Sequence, residues 1–147
     1  MTTATTLSVL ALALSVLSLN WQAWTWFRSG PVLRVESNVV ITDAASISGA
    51  PDLYIQIRVS NHGRAGATIT GFGVETPGKN NLFQFQPLPF STRLPARIDA
   101  HADASFYMPV EGIRSVAAER QLGSRDLRAW AQPASSRKVY AKTHLPL

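Results

Sequence analysis

The sequence predicts a mainly-β domain, built as an antiparallel β-sandwich with one short helix, carried behind an N-terminal α-helix of membrane-spanning length. Three observations predict it. The first twenty-seven residues hold no charged side chain and end in an aromatic cluster. The stretch LYIQIRVS alternates strictly between apolar and polar residues. Short apolar runs then recur about every ten residues between Gly, Pro and Asn turns, the spacing of a sandwich.

The helix comes first. Between Leu7 and Leu19 every residue that is not a large aliphatic is Ser or Ala. From Ala4 to Phe27 a helix runs about 36 Å at ~1.5 Å per residue, enough for a hydrocarbon core of about 30 Å. Asn20 and Gln22 lie toward one end, where headgroups and water solvate them. Trp21, Trp24, Trp26 and Phe27, followed at once by Arg28, make an interfacial belt, because an indole has an apolar body and one donor. Gly30 and Pro31 end the helix, so residues 1–30 form the anchor and 31–147 the domain. A cleaved signal peptide would carry a basic n-region and a small-x-small exit; here only the amino terminus is positive before the run, and exits such as Ser18-Leu19-Asn20 or Trp21-Gln22-Ala23 fit a signal peptidase poorly.

Within the anchor, Ser8, Ala11, Ser15, Ser18 and Gln22 recur at spacings of three and four. Small residues in such a seam let backbones approach, so the expected partner is another membrane helix, a second copy or a different chain. Arg28 and Arg34 follow the span while no basic side chain precedes it. The positive-inside rule therefore sets the domain on the cytoplasmic face of the cell membrane. The opposite orientation gives an envelope-facing binding or adhesion domain on a signal anchor.

The domain has no cysteine, which excludes disulfides and thiolate metal sites. The chain carries +5, with all fourteen basic side chains after the apolar run and eleven of them arginine. VLRVESNVVIT reads as a strand and Asp43–Asp52 as a loop. LYIQIRVS turns Leu53, Ile55, Ile57 and Val59 inward and Tyr54, Gln56, Arg58 and Ser60 outward, one face dry and one wet. Asn61-His62-Gly63-Arg64 is a turn, and ATITGFGVET is the return strand of a hairpin or the next strand of a sandwich. Gly71 and Gly73 around Phe72 predict a bulge or a close backbone approach. LFQFQ reads as a short strand, Pro87–Pro95 as an irregular connection, Arg97–Asp103 as a polar turn and ASFYMPV as a strand. From Pro109 to Leu122 the period becomes helical, with Pro109 at the first position, Ile113, Val116 and Ala117 inward and Gly123 beyond the end. DLRAWAQ and RKVYAKTH close the chain as strands.

The stretches WQAWTWFRSGPVLRV, YIQIRVSNHGRAGATITGFGVE and LPARIDAHADASFYMPVEGIR resemble small uncharacterised single-span membrane proteins of high-GC bacteria and their phages. The resemblance covers nearly the whole chain and rests on structural motifs alone. It implies an immunoglobulin-like β-sandwich, though without the cysteine pair of antibody domains, and it carries over no activity.

No stretch announces catalysis. His101 and Asp103 share a face of an extended segment, but zinc needs three or four ligands and none follows nearby. His62 sits in a turn and His144 near the end. There is no phosphate loop, dinucleotide fingerprint or nucleophile elbow. The sequence thus reads as a non-enzymatic interaction module with no cofactor and no metal. From Val110 onward seven basic side chains face three acidic ones. Arg128, Trp130, Lys138, Tyr140 and Lys142, if gathered on one sheet face, would suit anionic lipid headgroups or an acidic protein. Nucleic acid is disfavoured, since no stacking motif or recognition helix accompanies the charge.

Overall fold

A computed structural model of the chain describes residues 3–42, 52–78, 80–82 and 88–146. It opens with helix α1, Thr3–Arg28, whose described side chains are all exposed. The strands that follow are β1 (Leu33–Thr42), β2 (Asp52–Asn61), β3 (Ala67–Thr76), β4 (Asn80–Leu82), β5 (Ala96–Ile98) and β6 (Asp103–Pro109). Helix α2 (Val110–Glu119) and a 3-10 turn, Ser124–Asp126, lead to β7 (Arg128–Pro133) and β8 (Val139–Tyr140).

The strands form two antiparallel sheets. One has the order β1-β2-β6; the other runs β4-β3-β7-β8, with β5 also paired to β3. β2 and β3 lie in different sheets, so the Asn61–Arg64 turn does not close a hairpin; it carries the chain from one sheet to the other. The period of two explains the rest. Ile55, Ile57 and Val59 of β2 meet Ala104, Phe106 and Met108 of β6 in register, and all six are buried. Ile69, Phe72 and Val74 of β3 and Ala129 and Ala131 of β7 supply the other side of a single apolar cluster. Phe72 and Phe106 stack across it with ring centroids 4.7 Å apart. Their aromatic contact adds specific geometry to the burial of both sheets' inner faces.

Several sequence expectations change. Tyr54 is not on a wet face: it is buried, with Phe90 edge-on to it at 5.2 Å and Phe90 in turn edge-on to Tyr107 at 5.1 Å. Phe90 therefore covers the outside of the three-stranded sheet, while Thr92 N–H donates to the Ser105 carbonyl along the free edge of β6. The stretch expected to be a polar turn begins with a strand, β5, because Ala96 and Ile98 alternate inward around exposed Arg97. Pro109 caps α2 rather than opening it; its ψ of 133° is extended because it still pairs with Tyr54. Ile113 and Ala117 are buried as expected, and Val116 only half-buried. The left-handed residue that ends α2 is Gln121, φ 54°, not Gly123. Leu122 N–H bonds the Ala117 carbonyl and Gln121 N–H that of Ala118, the paired closure of a Schellman cap. β8 keeps only two residues of the expected final strand. Of LFQFQ, residues 83–86 lie outside the described residues, as does the loop 43–51.

The bulge appears between Ile69 and Gly71, where the β3–β7 register shifts. The close approach is at Gly73, where a Cβ would overlap the Leu82 carbonyl of β4 and meet Trp130 ring carbons at 3.1 and 3.3 Å. A glycine is required there because the backbone of β4 leaves no room for a Cβ, with the Trp130 indole closing the space beside it.

Candidate membrane junction and basic face

α1 is long and apolar enough to cross a bilayer: Thr3–Trp26 has a mean hydropathy of 1.6, and none of it is covered by the domain. Leu7, Leu12, Leu17 and Leu19 are each about two-thirds exposed, as are Trp21, Trp24 and Trp26 on the following turns. The side chain of Arg28 lies outside the described residues. The seam residues bond within their own helix. Ser8 Oγ donates to the Ala4 carbonyl at 3.0 Å, Ser15 Oγ to Ala11 at 2.9 Å, and Gln22 Nε2 to Ser18 Oγ at 3.3 Å. Such back-bonding satisfies the hydroxyl protons, leaving the seam small in profile while its oxygens can still accept. Asn20 Nδ2 likewise donates to the Val16 carbonyl at 2.9 Å.

The junction between helix and domain is built by the 61–66 turn. Asn61 is 1% exposed, and its amide works as a clamp. Its Oδ1 accepts from Gly63 N–H at 3.0 Å and from Val32 N–H at 3.3 Å, and its Nδ2 donates to the Ala65 carbonyl at 2.7 Å and that of Asp99 at 3.2 Å. The backbone adds His62 N–H to the Val32 carbonyl at 2.7 Å and His101 N–H to the Asn61 carbonyl at 2.9 Å. Gly63 sits so tightly that a Cβ would overlap the Gly30 carbonyl and the Val32 nitrogen, with Pro31 Cα only 2.7 Å away. The exit of α1 is therefore held against the domain rather than hung from it. Asn-x-Gly was legible as a turn; the clamp was not, because its partners at 32 and 99 are distant in sequence.

The basic face lies on the outside of the β4-β3-β7-β8 sheet. Trp130 pairs with Tyr140 across β7 and β8, and Glu75 of β3 pairs with Arg128. Lys138 Nζ lies 4.2 Å from the centre of the Trp130 ring, 2.9 Å from Asn81 Oδ1 and 3.8 Å from Glu75 Oε1. Its charge is thus engaged inside the face. Partial burial, and then the hydrogen bond its hydroxyl gives to Glu75, hold the Tyr140 phenol above its ordinary pKa; Arg128 pulls the other way. Four of the five expected residues come together here. Lys142 stands apart, lining a cavity of about 350 Å³ with Arg34, Glu36, Ser37 and Asn38 of β1 and Thr143. Glu75 and Asn81 belong to the face although nothing in the spacing marked them.

Asp103 accepts from Arg58 Nε at 2.9 Å, and that contact raises the arginine further above its ordinary value. His101 is exposed at φ 61°. Among the described residues no three of His, Cys, Asp and Glu gather as metal ligands would. The chain matches no protein-family model and no curated protein sequence.

Proposed function

We propose that this protein is a membrane-anchored, non-enzymatic interaction module, with α1 as its single span and the domain mounted on the cytoplasmic face. The observation that carries the reading is the naked apolar cylinder of α1. Leucines about two-thirds exposed along Thr3–Trp26, none of them covered by the domain, would be a severe liability in water and are ordinary in lipid. Arg34, just past the helix, and Arg64, on the turn that clamps it, add positive charge at the same end and favour the cytoplasmic orientation.

The domain is, on this reading, an immunoglobulin-like sandwich. The orders β1-β2-β6 and β4-β3-β7-β8 support it, since the chain crosses between the sheets from β2 to β3, from β5 to β6 and from β6 to β7, and so returns β6 beside β2 and β7 beside β3, as the long connections of a Greek-key sandwich do. The resemblance to proteins of high-GC bacteria and their phages suggests a role in host-membrane interference or superinfection control. Partners of matching chemistry are another membrane helix along the Ser8–Gln22 seam and an acidic protein at the sheet face.

Fractionation tests the anchor. The full chain should sediment with membranes, resist alkaline extraction and dissolve only in detergent. A monodisperse monomer in the supernatant without detergent overturns the reading. Protease added to intact cells should leave the domain untouched; digestion would instead select the envelope-facing adhesion domain on a signal anchor.

A further inference from the structure

Where α1 leaves for the domain, a notch of about 660 Å³ opens between them, lined by Trp21, Trp24, Thr25, Gly30, Pro31, Val32 and Arg64. Its helical wall is a single stripe, since residues 21, 24 and 25 are neighbours on one helix face. Its other wall is the clamped linker and the turn that carries Arg64. We infer that this notch is a phospholipid site that takes the phosphodiester headgroup of an anionic lipid, with Arg64 as its cation. The inference rests on α1 being a membrane span.

Three arguments select that ligand. The first is depth. With Thr3 at one face of a hydrocarbon core of about 30 Å, Trp21 stands about 27 Å across at ~1.5 Å per residue, close to where the opposite headgroups begin. The second is charge. Among the described residues Arg64 is the only formally charged one in the lining, and from the end of the helix to Glu36 the sequence offers Arg28 and Arg34 and no other charge. The carbonyl end of α1 carries a partial negative charge, yet Ser29 N–H and Oγ both donate to the Trp26 carbonyl and so blunt it. The third is shape and polarity. Two indoles give an apolar wall for the glycerol and upper acyl carbons, while the guanidinium offers the donors a phosphate needs. The clamp at Asn61 and Gly63 fixes the linker wall and the turn that carries Arg64, so that side of the site is preformed and loses little entropy on filling.

The test is native mass spectrometry of the full chain released from nanodiscs of mixed phosphatidylglycerol and phosphatidylcholine. The expected result is a phospholipid retained on each chain, enriched several-fold in the anionic species over the bilayer ratio. Arg64→Gln should abolish that enrichment, whereas Arg137→Gln, an exposed arginine on the β7–β8 turn, should keep it. A second measurement needs no variant: brominated phosphatidylglycerol should quench the tryptophans more strongly than equally brominated phosphatidylcholine. Entry into nanodiscs with no retained lipid, equal enrichment in Arg64→Gln, or equal quenching by the two lipids overturns the site and leaves the anchor standing. Arg64-dependent binding of inorganic phosphate in lipid-free detergent would give the site to a soluble anion and also overturn it. Failure to enter nanodiscs removes both the site and the anchor.

Discussion

Asn61 concentrates more structural work than any other polar side chain described above. It is buried, and its amide joins the helix exit, its own turn and the residues before β6. Asn61→Ala leaves several buried donors and acceptors unmet at roughly 1–3 kcal/mol apiece. We expect a loss of about 3 kcal/mol, read as a lower midpoint in thermal unfolding of the full chain in detergent; an unchanged midpoint would mean water replaces the amide. Tyr140 gives a pH prediction. Its raised phenol pKa means the fold favours the neutral form, so this contribution is complete below the ordinary value of about 10 and fades as pH rises through the raised one. Phenolate absorbance should therefore appear at higher pH in the folded chain than in the unfolded chain. Glu75→Gln should bring the two closer, because a carboxylate that accepts the hydroxyl proton is gone.

At the scale of elements, α2 is held by its three buried residues, Val110, Ile113 and Ala117, and by the cap at Gln121, not by composition. Gly112 stands in its first turn with open space where a Cβ would be and no positive φ. Gly112→Ala should thus stabilise the chain by about 0.5–1 kcal/mol, through helix propensity and a stiffer unfolded state, and the unfolding midpoint reads it. Since Ser8 and Ser15 already bond their own helix, association along the α1 seam rests on close backbone approach more than on hydrogen bonds across it. Ser15→Leu with Ser18→Leu should reduce self-association in an in-membrane reporter assay; full retention would remove the seam from consideration.

For the molecule as a whole, the question is whether the domain swings on its anchor or is mounted on it. The linker is short, Gly63 is packed against it, and Val32 is bonded on both its N–H and its carbonyl. Residues 30–32 are thus fixed to the domain, and on the proposed span they would set which surface of the domain faces lipid. Because the chain has no native cysteine, spin labels can be placed at Leu19→Cys and Ser135→Cys without further change. The distance distribution in nanodiscs should be narrow, and Gly63→Ala should broaden it. An equally narrow distribution in the variant would show that the turn does not hold the linker.

Read alone, the sequence determined the parts whose cause is local. A charge-free run that ends in tryptophans states its preferred solvent at every position, and the period of two in LYIQIRVS states which side of β2 is dry. The one departure on that strand, Tyr54, was decided by Phe90, thirty-six residues away. Tertiary structure alone decided that β2 and β3 part into different sheets, that β5 exists, and that Asn61 grips Val32 and Asp99. It also gathered Glu75 and Asn81 with Lys138 around Trp130, and moved Lys142 to the cavity beside β1. The reason is common to all of these. Periodicity records how each residue meets solvent or core, whereas a site depends on which distant segments the buried faces bring together, and no spacing along one chain encodes that pairing.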